Sequence, residues 1–82
     1  MRATVLVRPK QGILDPQGEA VTSSLQHLGF GVTDVRVGRL IDVELADTGA
    51  ERARAELERM CEQLLANPLI ESYEIELEPE RA

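Results

Sequence analysis

Apolar residues recur at two different periods along this 82-residue chain, and the changes of period mark its elements. Ala3, Val5 and Val7 alternate with Thr4, Leu6 and Arg8, which predicts a strand apolar on both faces and therefore central in its sheet. Pro9 and Gly12 mark a loop up to Leu14. At Asp15 the pattern becomes helical. Its short carboxylate is suited to accept the free amide protons of a first turn, and Pro16 at the first helical position needs no amide partner. Ala20, Val21, Leu25 and Leu28 then share one face, with Glu19, Gln26 and His27 mostly turned away. Gly29 supplies the left-handed conformation that ends such a helix.

Past Phe30 and Gly31 the period returns to two. Val35 and Val37 alternate with Asp34 and Arg36, predicting a second strand over Val32 to Val37, and Gly38-Arg39 reads as a tight hairpin turn. Ile41, Val43 and Leu45, alternating with Asp42 and Glu44, predict a third strand antiparallel to the second. Thr48 with Glu51 has the form of a capping box. Ala50, Ala53, Leu57, Met60, Cys61, Leu64 and Leu65 then form an apolar stripe over about four helical turns, and Glu51–Arg54, Arg52–Glu56 and Arg54–Glu58 can pair along the solvent side. Asn67 and Pro68 stop that helix, because a proline ring disfavours helical backbone at the residue before it. In the last strand, Leu69 to Glu78, Tyr73, Ile75 and Leu77 alternate with Ser72, Glu74, Glu76 and Glu78. The order predicts an α+β, ferredoxin-like β-α-β-β-α-β domain over residues 1–82, with 79–82 as a short polar tail. Its four-stranded antiparallel sheet would carry both helices on one face, with the first and third strands central and the second and fourth at the edges.

Composition narrows the function classes. So short a chain buries only about 60 to 65% of the surface its unfolded form exposes, which favours a homodimer or higher even oligomer, or a subunit of something larger. Nine basic residues against fifteen acidic ones, and Phe30 and Tyr73 as the only aromatics, argue against nucleic acid as a partner. No apolar run approaches the roughly 20 residues that span a bilayer, and Met1 to Val7 is too short for a signal peptide, so no membrane role and a cytoplasmic location are expected. A lone Cys61 can form neither an internal disulfide nor a zinc site.

Catalytic candidates are few. His27 has no carboxylate or cysteine at a spacing that would orient it as a base, and it reads as a surface or partner-facing side chain. Cys61 lies within the apolar stripe and reads as a buried, inert thiol. The glycines between Gly12 and Gly18 do not match a phosphate loop, and capping accounts for Asp15, Pro16 and Gly18. The alternating Glu74, Glu76 and Glu78 read as a solvated face rather than a metal site. No nucleophile, base and orienting group occur together, so no catalytic residue, cofactor or metal is assigned, and the function is expected to lie in association.

Five strings in register carry a resemblance: Pro9-Lys10, Asp15-Pro16-Gln17-Gly18, Leu28-Gly29-Phe30, Val35-Arg36-Val37-Gly38-Arg39, and CEQLLANPLIESY from Cys61 to Tyr73. Together they resemble PurS, the family of small subunits of phosphoribosylformylglycinamidine synthase, over nearly the whole chain. Arg39 stands where that family often has lysine, which keeps the charge. The resemblance implies a non-catalytic subunit of a glutamine- and ATP-dependent ligase in purine biosynthesis, with a large synthetase subunit and a glutaminase subunit as partners. ATP and magnesium would be used by the synthetase subunit, and this chain alone would be inactive. Asp15, Pro16 and Gly18 would shape a contact loop, Arg36 and Arg39 would pair with partner carboxylates, and Asn67, Pro68 and Tyr73 would set the register of the last strand. Fold maintenance is the competing reading for all of these residues, and for Asp15, Asn67 and Pro68 above all, since caps and turns use these types anyway. Two alternatives for the whole chain are a small-molecule-binding regulatory dimer and an acylphosphatase-like enzyme, the second needing Arg8 and an asparagine on one anion.

Overall fold

The computed structural model describes residues 1–46 and 49–78. Its first strand, β1 (Arg2–Pro9), is central as expected, because both of its edges are taken. On one side it pairs antiparallel with β2 (Arg39–Glu44), and on the other with β3 (Glu71–Glu78), giving the order β2-β1-β3. Between them lie helix α1 (Pro16–His27), between β1 and β2, and helix α2 (Ala50–Met60), between β2 and β3.

The expected strand over 32–37 is absent, and with it the hairpin at Gly38-Arg39 and the four-stranded order. Residues 30–38 carry no ladder, although the outer edge of β2, the strand they were expected to pair with, is taken by no other strand among the described residues. The predicted third strand exists as β2, but it pairs with β1 and forms a sheet edge instead of a central strand. Gly38 is needed for a close approach rather than a turn: its φ is not positive, and a Cβ there would collide with the carbonyl oxygen of Val7.

One helix covers the sheet. Ala3, Val5 and Val7 from β1 are buried against Ala53, Leu57 and Cys61 of the second helical segment, with Ile41, Val43, Tyr73, Ile75 and Leu77 around them. The period-two pattern of β3 is realised in full, its odd residues half-buried and its even ones exposed. The N-cap of α2 is Gly49, at φ 98°, and the proposed Thr48 cap lies outside the described residues. Beyond Met60 the helix continues as one π-turn, Cys61–Leu65, closed by the Ala66 amide donating to the Cys61 carbonyl at 3.0 Å. The extra residue in that turn rotates the stripe. Leu64, expected to be buried, is 83% exposed, while Ala66 takes the place in the core. Of the three helical ion pairs considered, Arg52–Glu56 is present at 3.9 Å among the described residues.

The first helix forms as its caps predict. Asp15 accepts from the Gly18 amide, and at the other end Gly29 (φ 95°) lets the Phe30 and Gly29 amides donate back to the Leu25 and Gln26 carbonyls. It does not, however, lie on the sheet beside α2, and Val21, Leu28 and Phe30 remain exposed. The radius of gyration is 16.2 Å, against about 12 Å for a compact chain of this length. The apolar face that the sequence assigns to α1 is real, but nothing in a single chain covers it.

Leu57→Ala removes a fully buried side chain and is expected to cost about 2 to 5 kcal/mol, lowering the melting temperature by at least about 8 °C. Leu64→Ala, identical on paper, is expected to change stability by no more than about 0.5 kcal/mol, and calorimetry of the two variants checks the π-turn register.

Candidate functional site

Of the eight residues singled out as contact candidates, Asp15, Pro16, Arg36, Arg39, Asn67 and Pro68 are exposed or half-buried at one end of the sheet or beside it, Gly18 is buried there, and Tyr73 is half-buried. Asp15 organises the first part. One oxygen accepts the Gly18 amide at 3.1 Å and the other the Val37 amide at 2.7 Å, tying the start of α1 to the extended segment 22 residues later. Those bonds, Val37 first, and the nearby Arg36 guanidinium hold the Asp15 carboxyl below the usual carboxylate range, because each favours the charged form. Gly18 must be glycine, since a Cβ would meet the Val35 carbonyl and the Asp15 carboxylate. Pro16 opens the helix on the exposed side of the same junction.

Neither arginine sits as the sequence suggested. Arg36 is not on a strand: its Nη2 donates to the carbonyls of Lys10 (2.9 Å) and Ile13 (3.0 Å), clamping the loop after β1. Arg39 is the first residue of β2 rather than part of a turn, and its Nη2 donates to Leu65 O and to both carboxylate oxygens of Glu71. The Asn67 amide donates to the same Glu71 carboxylate at 2.7 Å, while the Asn67 side-chain oxygen accepts from Leu69 at 3.2 Å. Pro68 offers its carbonyl to Lys10 Nζ at 2.6 Å. Asn67 and Pro68 thus fix the turn into β3, the fold-maintenance reading. Tyr73 stands apart on the core side of β3, where burial, followed by the charge of Glu62, raises its phenol pKa.

Two residues of this junction escaped sequence reasoning. Glu71 joins Arg39 to Asn67, and Lys10 bridges to the Pro68 turn, its own amide donating to Ile70 O at 2.8 Å. Lys10 carried a signal, as the only lysine in the chain. Glu71 carried none, being one acid among many.

His27 is exposed, beside Ser23, Ser24 and Leu28 on an open surface. Cys61 is fully buried, and burial, then the Glu62 and Glu58 carboxylates, pushes its thiol pKa up, the reverse of what a nucleophile needs. Among the described residues no three His, Cys, Asp or Glu side chains are grouped to hold a metal ion, and no helix is long and apolar enough to cross a membrane. The surface is suited to contact: the exposed apolar residues Leu14 and Leu40 stand next to pinned arginines.

A depressed native pKa at Asp15 means that its anchoring is complete above the ordinary carboxylate value and is lost as pH falls through the lower native one. Amide exchange followed by NMR is expected to show lower protection factors, relative to the intrinsic rate at each pH, at Gly18 and Val37 below that window, with Leu57 still protected. Asp15→Ala should show the same loss of protection at neutral pH.

Comparison with known proteins follows the same lines. The family profile "PurS: Phosphoribosylformylglycinamidine (FGAM) synthase" matches residues 2–79. The phosphoribosylformylglycinamidine synthase subunit PurS of Methanocaldococcus jannaschii is 40% identical over 78 residues, 94% of each chain. The corresponding Synechocystis subunit is 46% identical over 77 residues, 93% of this chain and 75% of its own. Among solved structures, PurS of M. jannaschii superposes with a TM-score of 0.86 at 38% identity over 98% of both chains. A chain of the Thermotoga maritima PurLQS structure gives 0.83 at 30% identity, covering 92% of this chain and 93% of that one.

Proposed function

The chain belongs to the PurS family, the small subunits of the ligase phosphoribosylformylglycinamidine synthase in purine biosynthesis, and we propose that it serves this synthase as a non-catalytic assembly subunit. Family membership replaces the regulatory-module and acylphosphatase-like alternatives. The observation that carries the assembly role is the match, over nine-tenths of both chains, to a chain of the PurLQS structure. By that analogy the partners are a large synthetase subunit, which uses ATP and magnesium to activate the formamide oxygen of formylglycinamide ribonucleotide, and a glutaminase subunit, which releases ammonia. Ammonia is mostly protonated near neutral pH and then no nucleophile, so holding the two sites together matters more than releasing ammonia quickly.

Features of this chain support such a role in a cytoplasmic complex. The apolar side of α1 and Phe30 is left bare, which favours a homodimer that covers it, and a second copy could also give residues 32–37 the strand partner they lack. Asp15, Pro16 and Gly18 shape the entry to α1 and its tie to Val37, and Arg36 and Arg39 remain exposed beside it. Asn67 and Pro68 contribute indirectly, by holding the β3 entry against Arg39 and Lys10, and Tyr73 by packing β3 on the core.

In a mixture of the synthetase and glutaminase subunits at limiting concentration, adding this chain is expected to raise glutamine-dependent synthesis at least tenfold, and synthesis from a large excess of free ammonia much less. Equal glutamine-dependent rates with and without the chain would exclude the assembly role.

A further inference from the structure

Phe30 closes the far end of α1, and a hollow of about 230 Å³ lies at its near end, beside the Asp15 cap. Pro9, Ile13, Leu14, Val37 and Ile70 give that hollow an apolar wall, with Leu14 and Ile70 exposed. Its charged wall is already engaged within the chain. Asp15 takes the Gly18 and Val37 amides, Arg39 Nη2 donates to Leu65 O and Glu71, and Glu71 also takes the Asn67 amide. What the hollow lacks is an apolar occupant. A cavity of about 150 Å³ holds a benzene ring, so this one has room for a phenyl group, and the Arg39 guanidinium in its wall favours an aromatic ring over an aliphatic chain.

The chain has two aromatic residues, and Tyr73 packs on the core, so Phe30 is the one exposed ring. It does not reach the hollow of its own chain, because the 12 residues of α1 hold the two apart by roughly 18 Å at about 1.5 Å per residue. A second copy removes that distance. Two α1 helices packed antiparallel set each tip against the other's base, so both hollows fill in one closed, two-fold contact. Parallel packing would put tip on tip and leave both hollows empty. Antiparallel packing also sets helix ends of opposite partial charge side by side, and it keeps the two sheets apart in chains of net charge −6. Ser23 and Ser24, short and exposed at mid-helix, let the two axes come close.

We propose that a second copy docks through Phe30, each ring seated in the hollow beside Leu14 and Ile70 of the other chain, with the two α1 helices antiparallel. This docking rests on the homodimer proposed above and gives it an anchor and a direction. Gln17 lines the hollow, and Gly31, next to Phe30, has open space around it and no positive φ, so a cysteine at either site spares both the ring and the apolar wall. Cys61 is fully buried and stays out of reach of a thiol reagent. Chains carrying Gln17→Cys and chains carrying Gly31→Cys are co-expressed, treated with a short bis-maleimide and compared with each chain alone. Light scattering over a dilution series gives the dissociation constants of the wild-type and Phe30→Ala dimers, with circular dichroism as a check on fold.

A covalent pair is expected in the mixture and in neither chain alone, and Phe30→Ala is expected to raise the dissociation constant at least about tenfold. Linkage within Gly31→Cys chains alone, tip to tip, would overturn the antiparallel docking, as would a mixture that stays unlinked while the wild type is a dimer, and the homodimer would survive both results. A Phe30→Ala dimer as tight as wild type would overturn the anchor. A wild-type monomer would remove the homodimer and the docking together.

Discussion

Two hydrogen bonds to the Asp15 carboxylate hold together parts of the chain that no sheet ladder or helix joins. One caps α1 and the other takes the Val37 amide, so the helix and the extended return segment leave the sheet as one arm. The Arg36 bonds to Lys10 and Ile13 close the base of that arm from the other side. Every group in this junction is backbone, the half-buried Asp15 carboxylate or the exposed Arg36 guanidinium. The arm therefore depends on directed hydrogen bonds where the rest of the molecule depends on apolar burial.

That division explains how the structure serves its role. Apolar residues from three strands and one helix make a small core around Val5, Val7, Leu57 and Cys61, and the only cysteine is used up as packing. What remains outside is unusually apolar for a free chain: Val21, Leu28 and Phe30 on the arm, Leu14 and Leu40 near the arginines, and Leu69 at the turn into β3. Surfaces of this kind mark contact with other polypeptides. A subunit that holds two enzymes in register needs such faces and needs no reactive side chain.

Much of this was legible in the sequence where the cause is local. The caps at Asp15 and Gly29, the alternation in β1 and β3 and the stripe from Ala53 to Leu57 all follow from spacing within a few residues. Val35 and Val37 misled because alternation reports extended, half-buried backbone and says nothing about which strand edge is free. Here the outer edge of β2 is open and residues 32–37 still do not pair with it. Leu64 misled because a single π-turn changes the phase of a stripe without changing its composition. Of the contact candidates, the arginines were visible as charge, but their carbonyl and Glu71 partners depend on pairings across 23 to 32 residues, which spacing alone does not encode.

The central claim is that the bare face of the arm is closed by a second copy, and solution mass tests it directly. Light scattering at tens of micromolar is expected to give the mass of two chains or a higher even number. A chain carrying Leu28→Glu and Phe30→Glu, both at exposed positions, should keep its helical circular dichroism and fall to the mass of one. A wild-type monomer at that concentration, or a double variant that remains a dimer, would contradict the account.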